Sequence, residues 1–504
     1  MKKAFVEIAV SKIYIAAFLL LFLGVALTVG FWFRWYFALP ALTLMGYASY
    51  KACMQIHKVT RSEATLRVNL GMILILLIIP IWLMALGVGG FIGQEQFDNS
   101  FRNAVLYELV NKPWPVTDIV DGQEYYLSYY FTYWLPAATL GKLFNSMTAA
   151  YLGLLIYAWM WIALTVLMVM NYCGGSRNFF IGILLLFFAP PIILNEIAFR
   201  WILGWYQDIY IHPTAFGSPT MTYNCFFIYN QTLPVVTAIP LMMRMREYPG
   251  TVAMALGMIF YYGPLETLPL IPVAAVLVFR NLKSFRTTEM CAAITMTVLI
   301  SIFYLGNSNG THLQAIWQDV FSGKQVVVMF IGYVIISIAV FLPFIWKKIA
   351  HNAYFWILVT TTLLLSFIMP TYGDFDPNGG NFDYGWKCPV ALMFVLYMEI
   401  AKVCSNIRWS HNRTECVLLG LILTVGVASG YRYYFTAARH VASGIYPSRY
   451  PYVKRPEHRN GTLFQYDKED PGSKAIAAGF ITPVPTLYST YFMPERCKVS
   501  TEGK

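Results

Sequence analysis

Long apolar runs separated by short basic loops fill most of this chain, and they leave it few ways to fold. Runs lie near 10–31, 35–50, 68–89, 150–171, 179–197, 232–244, 288–305, 326–346, 354–371, 389–404 and 416–432. A helix crossing the hydrocarbon core of a bilayer takes roughly 17 to 25 residues, so these runs read as spans. Lipid offers the backbone no hydrogen bonds, and a helix is the fold that satisfies such a run internally. Of the 504 residues 58% are hydrophobic and only 12% charged, against about 25% charged in soluble domains. The expectation is an all-α integral membrane protein with about 11 to 13 membrane segments. The opening MKKAFVEIAVSKIYIAAFLLLFLGVAL has no clear small-x-small cleavage site and reads as an uncleaved first helix.

The net charge of +11 is not a nucleic-acid signal, because the cations sit in short loops between spans. Lys2/Lys3, Lys51/Lys58/Arg61/Arg67, Arg177, Arg244/Arg246, Arg280/Lys283/Arg286, Lys347/Lys348 and Lys402/Arg408/Arg413 fall on one side if the spans alternate. By the positive-inside rule that side is the cytoplasm of an inner membrane, and the N-terminus lies there. Alternation holds only if 251–279, too long for one span, leaves and returns to the same face. Its centre, Tyr261-Tyr262-Gly263-Pro264, predicts a turn between two short helices, a broken or re-entrant pair meeting inside the membrane. The polytopic domain is then 1–432, with extracytoplasmic loops 90–149, 198–231, 306–325 and 372–388. A polar tail, 433–504, follows as an extracytoplasmic cap. Eight cysteines with no CxxC pair suggest neither zinc nor a disulfide framework.

Loop 90–149 gathers acids directly after a span. Asp98 leads them: a carboxylate there could take a proton from an acceptor hydroxyl or hold a divalent metal, Mg or Mn. It could equally cap the helix that FDNSFRNAVLYELV predicts. Glu95 and Glu108 fit a solvated face better. In loop 198–231, Trp201, Trp205, Tyr206, Tyr210, Tyr223 and Tyr229 could stack on sugars or form an aromatic belt at the headgroups. His212, Asn224, Asn230 and Gln231 could bond hydroxyls. Asp383 and Lys387 could pair at the mouth of a span, leaving the lysine near a lipid phosphate. DFDPNGGNFD lacks EF-hand spacing. Glu266 falls inside the membrane, where acids are costly and tend to be functional, although a protonated Glu at a helix break is an equal reading. No Walker motif or serine-hydrolase pattern occurs.

In its order of motifs the chain resembles the GT-C superfamily of polytopic membrane glycosyltransferases over about residues 85–405. The resemblance rests on Asp98 and Asn103 with the Lys-Pro-Trp-Pro end of their helix, on Tyr129-Tyr130 to Pro136, and on Gly141-Lys142-Leu143. It continues through Phe226-Phe227 to Asn230-Gln231 and Leu233-Pro234, Gly263-Pro264, and Asp383 to Pro389. It implies sugar transfer from a polyprenyl-phosphate donor to an envelope glycan or lipid acceptor, with Asp98 as catalytic base or metal ligand. Arg102 and Lys387 would steady the lipid phosphate. The GT-C-like group tends to carry His near Arg102 and Arg near Lys387. Here Arg102 cannot serve as a base and Lys387 cannot grip phosphate bidentately. Two other classes stay open: a transporter or flippase of a lipid-linked glycan that uses Glu266, and a catalytically silent envelope-assembly scaffold.

Overall fold

A computed structural model describes residues 5–63, 65–85, 88, 99–120, 122–187, 228–306, 311–315, 323–372, 387–407, 412–426 and 480–494. Helices make up most of them. In chain order they are α1 (Val10–Trp32), α2 (Trp35–Thr60), α3 (Leu70–Ala85), α4 (Asn99–Asn111), α5 (Leu135–Leu143), α6 (Met147–Tyr172) and α7 (Phe179–Phe187). Then come α8 (Tyr229–Arg244), α9 (Pro249–Phe260), α10 (Pro264–Thr267), α11 (Leu270–Arg280) and α12 (Thr288–Leu305). The last are α13 (Gly323–Ser337), α14 (Leu342–Ile349), α15 (Ala353–Leu365) and α16 (Pro389–Asn406), α17 (413–426) and α18 (Leu487–Tyr491). Among the described residues five helical stretches are long and apolar enough to cross a membrane: Val10–Trp32, Met147–Tyr172, Thr288–Leu305, Phe330–Ile349 and Pro389–Asn406. The protein is therefore a mainly helical membrane protein.

The helices differ from the apolar runs where packing, not composition, sets the boundary. The run 35–50 predicts a helix ending near Tyr50, yet α2 continues to Thr60. Ala52, Ile56 and Thr60 keep one face of that extension buried, and no Gly or Pro interrupts it. The run 354–371 ends early as a helix, because its last residues pair as strands: β5 (Thr311–Ala315) against β6 (Ile368–Tyr372). Pro370 lies in that segment, and proline cannot supply a helical N–H.

The basic loops gather at one end of the bundle. There Arg244 pairs with Glu63 and donates to the carbonyl of Val59. Asn171 donates to Glu63 at 2.7 Å, and Arg67 pairs with Glu7 at 3.0 Å beside the two-stranded sheet of β1 (Phe5–Ile8) and β2 (Leu66–Asn69). The opposite end holds β3 (Thr117–Val120), β4 (Gln123–Leu127) and β7 (Ile481–Pro483) in one sheet. Residues 480–494 close over it: Leu127 pairs with Ile481, Tyr488 donates to the Trp32 carbonyl at 2.5 Å, and Arg34 donates to the carbonyl of Met493.

Residues 249–280 turn back on themselves. Gln55 accepts from Thr251 at 2.6 Å and donates to Glu289 at 2.5 Å, so the first turns of α9 and α12 sit side by side at the basic end. Helix α11 packs on α9 and returns to that end. The break falls at Tyr261–Gly263, where the Tyr261 hydroxyl reaches the carbonyl of Met296 in the middle of α12 at 3.0 Å.

Helix α1 lies at the centre of this packing and approaches its neighbours closely at Gly24. A Cβ built there would lie 3.0 Å from Thr132 Cγ2 and closer still to the Tyr262 hydroxyl, whereas one at Gly46 on exposed α2 meets nothing. Gly24→Ala is expected to cost about 1–3 kcal/mol through overpacking. Gly46→Ala should be neutral or stabilising by up to about 1 kcal/mol. Thermal unfolding of both variants in detergent checks this, and equal shifts would contradict the packing described.

Candidate functional site

The first turn of α8, Tyr229-Asn230-Gln231-Thr232, is polar in a bundle that is otherwise apolar at this depth. All four residues are buried, Asn230 and Gln231 completely. The residue at the cap, Ile228, has no side chain that could accept from the turn. Tyr229 and Thr232 have partners: Trp134 Nε1 donates to the Tyr229 hydroxyl at 3.0 Å, and Thr232 Oγ1 donates to Glu266 Oε1 at 2.7 Å. Among the described residues the amides of Asn230 and Gln231 have no hydrogen-bond partner on either atom, and Glu266 Oε2 has none.

Glu266 reaches this turn because the chain breaks where it does. Gly263 comes so close to α8 that an added Cβ would stand 3.0 Å from Gln231 Cβ. Pro264 then opens α10 at a position where its missing N–H costs nothing, and Glu266 follows in the first turn, fully buried. Helix α16 approaches from the other side, with Cys388 Sγ donating to the Leu265 carbonyl at 3.3 Å. Lys387, one residue earlier, lies within electrostatic range of Glu266. Across the turn, Arg102 of α4 is buried at 4% exposure and lies within electrostatic range of the Tyr229 hydroxyl. Asn103 is buried beside it.

Of the residues singled out in the sequence, Asn230, Gln231 and Glu266 thus lie at one helical turn, with Arg102 and Lys387 within electrostatic range of it. Neighbours two apart on a helix point about 200° from each other, so Asn230 and Thr232 face opposite sides of α8. Asp98, His212, Asn224 and Asp383 lie outside the described residues, as do Glu95 and the aromatics Trp201 to Tyr223. Helix α4 begins at Asn99, directly after Asp98. Among the described residues no group of three or more His, Cys, Asp or Glu side chains could hold a metal ion.

Two expectations are corrected. Glu108 is not on a solvated face: it is completely buried and paired with Lys112 at 2.9 Å. Lys112 also pairs with Asp118 at 2.5 Å and its carbonyl accepts from Lys142, whose ammonium is pushed below its ordinary pKa by partial burial. An i,i+4 Glu–Lys pair looks like a surface feature in sequence, but here α5 and α6 cover the helix. Tyr229 is neither a sugar platform nor a belt residue. It is 1% exposed, its ring edge-on to Tyr133 at 5.4 Å and to Trp134 at 6.1 Å. Thr232 and Cys388 were missed, and nothing local marks them. Each meets its partner across long stretches of chain.

Chemically, the turn offers two amides able to donate and accept, a carboxylate with one oxygen without a partner among the described residues, and two cations within electrostatic range. Buried polar atoms are nearly always hydrogen-bonded, so this cluster suits a polar guest with hydroxyl or phosphate oxygens. No protein-family model, curated protein or solved structure matches the chain.

An unmatched buried amide destabilises the fold by about 1–3 kcal/mol. Gln231→Met, which keeps the length and removes the amide, is therefore expected to raise the unfolding temperature in detergent while lowering function. A fall in that temperature would mean that the amide is matched in the folded protein.

Proposed function

We propose that this protein is a GT-C-like membrane glycosyltransferase. It moves a sugar from a polyprenyl-phosphate donor to an envelope glycan or lipid acceptor on the extracytoplasmic face. One observation carries the reading: buried amides without partners among the described residues and a half-matched acid lie at the first turn of α8, with Arg102 and Lys387 within electrostatic range of it. The basic loops at the other end of the bundle support a cytoplasmic assignment for that end and an extracytoplasmic one for the site. The shorter apolar helices (Leu70–Trp82, Pro249–Phe260, Leu270–Arg280 and Ala353–Leu365) are read as further membrane segments. The pair α9 and α11 is read as re-entrant.

In this scheme Asp98 takes the proton of the acceptor hydroxyl. The acceptor oxygen bonds to the anomeric carbon, and the bond from that carbon to the phosphate oxygen breaks with its electron pair on the phosphate. Arg102 and Lys387 offset the charge that develops there. Gln231 and Glu266 hold hydroxyls of the sugar on one face of α8, and Asn230 receives a polar group of the substrate on the opposite face. A second reading, a transporter of lipid-linked glycan, is favoured by one feature: a fully buried acid at a helix break, the arrangement by which broken helices line ion and substrate paths.

The two readings separate on one experiment, in membranes supplied with polyprenyl-phosphate sugars and analysed by mass spectrometry. Transfer predicts that Asp98→Asn lowers glycan product by about 100-fold or more, the usual scale for a lost general base. It also predicts that Glu266→Gln keeps measurable product. Wild-type product from Asp98→Asn, with loss only in Glu266→Gln, would replace transfer with transport.

A further inference from the structure

At the basic end, three cations from three elements lie about one hydrogen-bonded tyrosine–glutamate pair. The hydroxyl of Tyr172, the last residue of α6, donates to Glu399 Oε1 in α16. Lys402 Nζ stands 4.4 Å from the centre of the Tyr172 ring, and Lys348 Nζ of α14 is 4.0 Å from Glu399 Oε2. Arg246, just beyond α8, acts electrostatically on the same hydroxyl, and Lys348 and Lys402 both act on the neighbouring Cys173 thiol. Attraction to helix C-termini accounts for each cation singly. It does not account for three of them about a single Tyr172–Glu399 pair, which supplies one carboxylate for three cations.

Glu399 is 13% exposed, while Lys348 beside it is 42% exposed. Helix α14 is amphipathic, with Ile345 and Ile349 buried and Trp346 half exposed; tryptophan favours the boundary between headgroups and acyl chains. Phe180, at the start of α7, is 69% exposed, and α7 packs on α16. Exposed apolar side chains thus lie on α14, which carries Lys348, and on the helix packed against α16, which carries Lys402.

We propose that Arg246, Lys348 and Lys402 form a binding site for the phosphate of an anionic phospholipid, whose chains lie along the surface beginning at Trp346 and Phe180; Tyr172 ties up one oxygen of Glu399 and so lessens its repulsion of the phosphate. Membrane-proximal basic pockets between helices recognise such headgroups. The site is remote from α8's first turn and stands whether or not the protein transfers sugar.

Native mass spectrometry of the full-length protein in detergent, loaded with dioleoyl phosphatidylglycerol or dioleoyl phosphatidylcholine, tests it. Phosphatidylglycerol should be retained in preference to phosphatidylcholine. Lys348→Gln and Lys402→Gln should each weaken retention about fivefold, and together about thirtyfold. Arg246→Gln, at a position outside any helix, gives an independent reading of the same loss. Lys51→Gln with Lys58→Gln, which removes two cations of α2 at the same end, should leave retention unchanged. Equal retention of the two lipids, equal loss in the α2 variant, or displacement by millimolar inorganic phosphate would overturn the proposal. The last would mark a site for free phosphate.

Discussion

A helix broken inside an apolar bundle must find partners for the backbone groups it releases, and this requirement organises the centre of the molecule. At the break after α9, the Tyr304 hydroxyl reaches the carbonyl of Tyr261, and Thr267 donates to that of Gly263 at 2.7 Å. Cys388 donates to that of Leu265. Tyr304 and Cys388 come from other elements, so α12 and α16 are held at the break by groups that satisfy it, while Thr267 closes its own turn. Tyr262 ties in α1 as well, donating to the Leu21 carbonyl at 2.9 Å. Unmet backbone in hydrocarbon costs several kcal/mol per group, so these contacts set where the helices sit.

The same requirement brings polar side chains to a depth where the bundle is otherwise apolar. Between α6 and α8, Thr165 and Thr237 share a hydrogen bond at 2.6 Å, and Thr28 and Thr132 share one at 3.0 Å between α1 and the turn before α5. Those pairs are closed and need nothing further. The first turn of α8 differs from them because only part of its polarity is spent. Thr232 and Glu266 meet, while the amides beside them do not.

Much of the fold could be read in the sequence, because spans are written in runs of apolar residues and the break in a Gly-Pro pair between two such runs. The strands could not. Leu127 and Ile481 pair only after the chain between them has returned to the same end, and no local pattern records that. Individual site residues stood out for a related reason: Asn230, Gln231 and Glu266 are polar where their neighbours are apolar. Their meeting was not legible. Thr232 lies 34 residues from Glu266 and Cys388 lies 123 from Leu265, and only the packing of α10 between α8 and α16 closes those distances. Glu108 was misread for the converse reason: a Glu with Lys four residues on carries the pattern of a surface helix, and burial comes from elements the pattern does not mention.

The cost of the α8 turn argues about its purpose. Folding alone has no use for Asn230 and Gln231 there, since Leu233, Val235 and Val236 pack in the next turn without polar groups. A leucine at either position would avoid the penalty of an unmatched amide, about 1–3 kcal/mol. Glu266 adds an acid whose second oxygen has no partner among the described residues. Polar networks buried in low dielectric are strong when complete and costly when partial. Free energy withheld in this way is recovered when a group with matching donors and acceptors enters, and the interaction is then stronger than it would be in water. A turn that is incomplete by itself, with two cations within electrostatic range, is therefore better built for a guest than for the fold.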